Sequence, residues 1–356
     1  MKEYERDKAN PFTLSFGKQP FEYIDRDNIK NELIKQIDST PLFSNCFVIT
    51  GVRGSGKTVM LTSVSKRFER EKHWIVIDLN PEDDLREGLA AKLYTAGRLK
   101  HLFLEKNFNF SFHGFSFSLT GKNPILNIDD LLEKMFAEIR RQGKKVLVTI
   151  DESTNNAYMR QFVLSFQSLI RKDSPLVLLV TGLYENIFSL ENEKNMTFLI
   201  RSPKTFLSPL NLQSIAASYQ SQLGLNYEEA VKCAKMTKGY AFAFQLLGYL
   251  MFDRKKKVMD KELLSLYDRY LAEYAYTKIW SMLSEIEKKV VLSFQTNAII
   301  SVSIILERTS MKKEYFSRYR DRLLKKGILF SPSRGKLIFS LPRFKEFVDV
   351  ETAYEE

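Results

Sequence analysis

The chain has 356 residues, 44% of them hydrophobic and 27% charged, with a formal net charge of +11. That length suits two or three domains with a well-buried core, the composition excludes a disordered chain, and no apolar run approaches the ~20 residues of a membrane helix. Cys46 and Cys233 stand far apart without metal-ligand spacing, against a disulfide framework or zinc site, and Met1–Asp7 is too charged for a secretory signal, so a cytoplasmic protein without membrane contact is expected.

From Cys46 to about Leu207, apolar strands alternate with helical patterns, the signature of an α/β fold on a parallel sheet. Strands are expected at Asn45–Thr50, Trp74–Leu79, Val146–Asp151, Leu176–Thr181 and Lys204–Leu207, with helices beginning near Lys57, Asp83, Asn127 and Asn155. The first strand runs into Gly51-Val52-Arg53-Gly54-Ser55-Gly56-Lys57-Thr58, which opens a helix. This is the strand–loop–helix context of a P-loop. Its glycines let backbone N–H groups curl around phosphate oxygens, and the helix start adds positive partial charge. Gly51, Arg53, Gly54, Ser55, Gly56, Lys57, Thr58 and Val59 are the candidate nucleotide contacts. Lys57 would reach the β- and γ-phosphates, and the Thr58 hydroxyl would ligate Mg2+.

Phe108 to Leu119 alternates aromatic and polar residues, and the alternation changes parity across His113-Gly114. A two-residue turn there sets Phe112 opposite Phe115, Phe110 opposite Phe117 and Phe108 opposite Leu119. Such an apolar face either packs on the protein's own helices or docks another subunit or partner.

The strand Val146–Ile150 ends in Asp151-Glu152, where packing has no use for two carboxylates. Asp151 would hold Mg2+ through its water shell, and Glu152 would polarise the attacking water. Thr181, ending the next strand, would reach the γ-phosphate or that water if the strands are neighbours. Arg201, just before the last strand, is a candidate arginine finger towards a neighbouring subunit or a surface arginine. His73, His101 and His113 form no catalytic or zinc constellation with Cys, Ser or Asp.

After Pro209 the strand signals stop, and Leu212–Leu223, Tyr227–Thr237, Ala241–Phe252 and Lys261–Tyr276 read as a helical bundle. From Glu285 to Lys345 there are fourteen Lys/Arg against five Asp/Glu, an excess of nine in about the last sixth of the chain. Such asymmetry points to nucleic acid or to a solvated basic surface. Helices are expected from Glu285, over Val302–Glu307 and over Lys312–Lys326. Gly327 caps the third, and Ile328–Phe330 and Leu337–Phe339 form a hairpin. Three helices and a hairpin follow the order of a winged helix. In a double-stranded DNA-binding version, Lys312, Lys313, Arg318 and Arg322, beside Arg320, Lys325 and Lys326, would serve the major groove. Arg334 and Lys336 would meet phosphates or the minor groove.

With these motifs in place, the chain resembles the AAA-plus ATPases, in the branch of the origin-recognition ATPases and the signal-transducing STAND ATPases. The resemblance covers nearly everything from Asn10. It implies an AAA-plus sheet domain over residues 1–209 with the aromatic insertion at about 106–120, a helical lid over 210–280 and a winged helix over 281–356. It also implies ATP rather than GTP, an adenine pocket lined by apolar residues of Asn10–Phe12 and Phe21–Asp27, Thr181 as sensor and Arg201 as finger. Many members carry an arginine at the start of a lid helix; Thr237–Gln245 has none and is similar to the Gly-x-Pro region of the STAND group, with Ala241 in place of proline. The expected function is therefore a slow ATPase switching DNA binding. The alternative is a STAND-like scaffold, forming homo-oligomers or binding protein partners through the winged helix and the aromatic hairpin.

Overall fold

The computed structural model describes residues 9–15, 20–96, 110–112, 115–117, 127–194, 196 and 198–353. By internal contacts the chain divides into two compact units. One, the sheet unit, comprises Asp27–Thr50 and Lys57–Phe206; the other, the helical unit, comprises Met1–Arg26, Gly51–Gly56 and Leu207–Glu356.

The sheet unit carries strands β1 (Cys46–Thr50), β2 (Trp74–Leu79), β3 (Phe110–Phe112), β4 (Phe115–Phe117), β5 (Lys145–Ile150), β6 (Leu176–Gly182) and β7 (Lys204–Phe206). Its helices are α1 (Asp27–Ile37), α2 (Lys57–Glu69), α3 (Leu85–Thr95), α4 (Ile128–Arg141), α5 (Ala157–Arg171), α6 (Tyr184–Glu191) and α7 (Phe198–Arg201). Five parallel strands form one sheet in the order β2-β5-β6-β1-β7, so the fold class read from the alternation of elements holds. Every residue of β1 and β6 is buried, which is why these strands read as unbroken apolar runs: a parallel sheet is covered on both faces. Asp84, Asn127 and Asn156 cap α3, α4 and α5 through their side chains. In the register of β5 and β6, Ile150 lies opposite Val180, so the carboxyl end of β5 reaches the same edge as that of β6. In open α/β sheets that edge is where ligands bind.

The hairpin β3–β4 pairs Phe110 with Phe117 and Phe112 with Phe115, the register the change of parity predicts. The Phe108–Leu119 pair and the His113-Gly114 turn lie outside the described residues.

The helical unit contains α8 (Leu212–Leu223), α9 (Tyr227–Thr237), α10 (Ala241–Asp253) and α11 (Lys261–Leu271), which continues through a π-turn at Ala272–Tyr276 into α12 (Thr277–Ser281). Phe12 is 1% exposed, packed against Tyr219 and Phe244 at ring centroids of 5.9 and 5.6 Å. Position 248 must be glycine, because a Cβ there would meet the Phe12 ring at 2.5 Å. The N-terminal segment is thereby part of this unit's core. Phe21, by contrast, is exposed.

Farther on come α13 (Glu285–Leu292), β8 (Ile300–Ser301), α14 (Val302–Thr309), α15 (Lys313–Lys325), β9 (Leu329–Phe330), β10 (Lys336–Phe339) and α16 (Phe344–Ala353). The three helices and the hairpin stand where the sequence pattern puts them. The short β8, absent from that reading, completes an antiparallel sheet in the order β8-β10-β9. Gly327, at φ 73°, takes the left-handed position after α15 that terminates helices at low cost.

Two of the basic side chains counted on α15 and its end turn inward. Arg320 lies against Ser331, and the Lys326 ammonium donates to Glu287 at 2.9 Å with both side chains under 10% exposed. Removing one partner leaves a charge buried alone, which costs about 3–5 kcal/mol. Urea denaturation of Lys326→Met should show a loss of that size. A change under ~1 kcal/mol, the range of an exposed pair, would show that the pair is solvated.

Among the described residues no helix is long and apolar enough to cross a membrane. Cys46 and Cys233 are both free and buried.

Candidate nucleotide site

The sheet unit brings four of the sequence-predicted residues together. Lys57 and Thr58 open α2, and the Lys57 side chain is buried. The Thr58 hydroxyl donates to Asp151 Oδ2 at 2.7 Å, and the Thr181 hydroxyl donates to Oδ1 of the same carboxylate. The Glu152 amide donates to Thr181 Oγ1 at 3.0 Å. Strand β5 stops at Ile150, one residue before the expected end, because the chain turns sharply there: Glu152 sits at φ 53°. A non-glycine residue in that left-handed region is uncommon. The turn leaves the Asp151 carboxylate against two hydroxyls while the Glu152 side chain is exposed. Val59 follows in α2, half-buried. Arg201 is exposed at the end of α7, beside Ser44, Asn45 and Cys46 at the amino end of β1 and not in this cluster at the carboxyl ends.

The rest of the loop, Gly51–Gly56, belongs to the helical unit. Gly54 and Gly56 take φ of 75° and 94°, conformations open to glycine. Three successive carbonyls of the loop accept donors from other segments. The Tyr240 hydroxyl donates to Arg53 O at 2.5 Å, the Phe242 amide to Gly54 O at 3.0 Å, and Arg26 Nη2 to Ser55 O at 3.0 Å. Arg26 also holds Ser208 O through Nε at 2.9 Å. Burial pulls its pKa down to about 10, an effect partly offset by Asp25, so it remains a cation at neutral pH. The turn after α15 touches the same loop: a Cβ on Gly327 would lie 3.3 Å from Val52 Cβ.

These features fit a phosphate ligand. The buried Ser55 hydroxyl has no hydrogen-bond partner among the described residues, and the loop carbonyls that would repel an anion are already engaged. The hydroxyl and carboxylate oxygens of Thr58 and Asp151 suit a hard divalent cation such as Mg2+.

Residues 26–96 match the KAP family P-loop domain. The ORC2 protein of Aeropyrum pernix, solved in ADPNP-ADP complexes, superposes with a TM-score of 0.54 at 14% identity, over 96% of this chain and 98% of that one. The fold is that of an AAA-plus, origin-recognition-like ATPase. Two more proteins with coverage above 90% are 14% identical: Cdc6p of Pyrobaculum aerophilum (TM-score 0.46, 94% of this chain and 100% of that) and the A. pernix ORC1 protein in complex with DNA (TM-score 0.43, 94% and 95%). Residues 274–348 match a domain of unknown function, DUF8462. No curated protein matches in sequence.

Reading the sequence for motifs gave no role to two residues that hold this phosphate loop, Arg26 and Tyr240. Arg26 lies in the N-terminal segment, where no spacing marks it. Tyr240 did carry a signal. Helices α8, α9 and α11 follow Asn211, Asn226 and Asp260, each a capping side chain, whereas α10 follows a tyrosine that cannot cap it.

Proposed function

We propose that this chain binds ATP with Mg2+ on Gly51–Val59, hydrolyses it slowly, and uses the bound nucleotide to switch double-stranded DNA binding by residues 281–356 acting as a winged helix. The observation that carries the nucleotide half is the Asp151 carboxylate held between Thr58 and Thr181. Here Lys57 pairs with the β- and γ-phosphates, and Thr58 and Asp151 hold Mg2+, which when bound neutralises charge on the phosphates. Thr181 orients Asp151 and the Glu152 amide, and Glu152 takes a proton from the attacking water. Arg201, exposed, is assigned to the nucleotide of a second copy. Turnover is slow because Thr237–Gln245 brings no arginine to the loop.

The DNA half is supported by exposure and charge. Lys312, Lys313, Arg318, Arg322, Arg334 and Lys336 are all exposed. Cations placed so release counterions from a duplex, giving an affinity that falls steeply with salt.

The test is binding of fluorescent random-sequence duplex DNA across a salt series with ATP, ADP or no nucleotide. Arg322→Glu and Lys313→Glu should each weaken binding about fivefold or more and lower the salt slope by about 1, leaving ATP affinity intact. Equal DNA affinity in wild type and variants would overturn the DNA reading. Weak, nucleotide-insensitive binding by the wild type would favour a scaffold whose aromatic hairpin and C-terminal segment bind protein.

A further inference from the structure

The start of α10 lacks the device its neighbours use. The first amides of a helix have no partner within it, and in α8, α9 and α11 an Asn or Asp side chain supplies an acceptor. Tyr240 stands at that position before α10, and its side chain accepts nothing from the helix. The Phe242 amide in the first turn of α10 instead donates to Gly54 O, and the Tyr240 hydroxyl donates to Arg53 O. The phosphate loop thus caps this helix, and the helix fixes two of the loop's carbonyls. The fit is close: a Cβ on Gly54 would come within 2.4 Å of the Tyr240 hydroxyl and 2.9 Å of Phe242 Cβ.

We infer that Tyr240 is a positioning residue of the phosphate loop: with the Phe242 amide it holds the Arg53 and Gly54 carbonyls in place, which presets the loop's N–H groups for phosphate and ties the start of α10 to the state of the loop. The inference rests on the nucleotide reading above. Its physical basis is the peptide dipole. A loop that cradles an anion must present N–H and not C=O, and a carbonyl already engaged by a hydroxyl or amide is held against flipping towards the ligand. Burial raises the Tyr240 pKa well above the usual tyrosine value, so its hydroxyl remains a donor. Its ring lies parallel to Tyr276 at 6.5 Å, whose hydroxyl donates to Pro342 O at 2.5 Å and whose ring meets Phe344 edge-on at 5.1 Å. A run of aromatic contacts thus links the loop contact at Arg53 to α16.

Tyr240→Phe keeps the ring and removes one hydroxyl. In the full chain it should lower affinity for a fluorescent N-methylanthraniloyl ATP about three- to tenfold, the worth of one hydrogen bond. In nucleotide-free protein the amides of residues 52–56 and 242–244 should exchange hydrogen faster together, and in wild type ATP should slow both sets. Tyr219→Phe, which removes a buried hydroxyl bond to Phe244 O at 2.8 Å within the same unit, controls for general destabilisation and should leave ATP affinity within about twofold. Unchanged affinity and unchanged loop exchange in Tyr240→Phe would overturn the inference alone, as would an equal loss of affinity in Tyr219→Phe. A wild-type chain that binds no nucleotide would remove the nucleotide reading and the inference with it.

Discussion

Lys57→Ala will lower ATP affinity by about two orders of magnitude. A hydrogen bond to a charged group contributes ~1.5–3 kcal/mol, and the P-loop lysine serves two phosphates at once; about 3 kcal/mol corresponds to somewhat more than a hundredfold. Its position supports the proposed role. Lys57 is the first residue of α2, directly after Gly56, with its side chain buried. Calorimetric titration with ATP and Mg2+ measures the loss directly. The melting temperature adds a second readout, because only a protein that binds ATP is stabilised by it. An alanine variant binding ATP within threefold of wild type would mean that the loop does not use this lysine, and the P-loop reading would fall.

Glu152→Gln will reduce turnover by about 10²–10⁴-fold, the usual contribution of a positioned general base, while ATP affinity stays within a few-fold. The backbone favours this role over a structural one. Glu152 is held at φ 53° with its amide on Thr181 Oγ1 and its side chain exposed. A non-glycine residue in such a conformation costs of order 1–3 kcal/mol, and such costs gather at functional sites. Glutamine keeps the length and hydrogen-bonding shape of the side chain and removes the basic oxygen, so binding and chemistry separate. Single-turnover phosphate release is the measurement, because slow product release would hide a change in the chemical step. Equal rates in the two proteins would take the general-base role from Glu152.

Orientation on α15 was within reach of the sequence. Phe316 and Leu323 are the buried residues of this helix, and Arg320 lies four positions after the first and three before the second. Side chains at such spacings share a helix face. Lys326, three past Leu323, follows the same face into its pair with Glu287. A count of basic residues on the helix overstates the charge available to a ligand, and periodicity corrects it. The remaining seven basic candidates, Lys325 among them, need no such correction, since each is exposed.

Other features have no local trace. Thr58 and Asp151 are 93 positions apart and bond at 2.7 Å, yet that contact depends on strand order, with β6 between β1 and β5. Strands β1 and β6 are apolar up to Thr50 and Thr181, so their side chains do not advertise which strand lies beside them. The placement of Thr181 against Asp151 follows from the same order. Tyr240 and the loop carbonyl it holds are 187 positions apart, and the tie satisfies a helix amide with an acceptor from distant chain.

By itself the sequence determined the phosphate loop, the acidic strand end, the parallel α/β class, the hairpin register and the basic C-terminal segment. Each of these is a short-range pattern whose physics acts within a few residues: glycine conformations, helix starts, the period of two and the density of charge. The tertiary structure alone decided the order of the strands, the partners of Asp151, the inward turn of the N-terminal segment at Phe12 and the grip of Tyr240 on the loop. These are pairings of groups far apart in the chain, chosen by packing and by the need to satisfy buried polar groups, and neither constraint is written into the residues on one side of the contact.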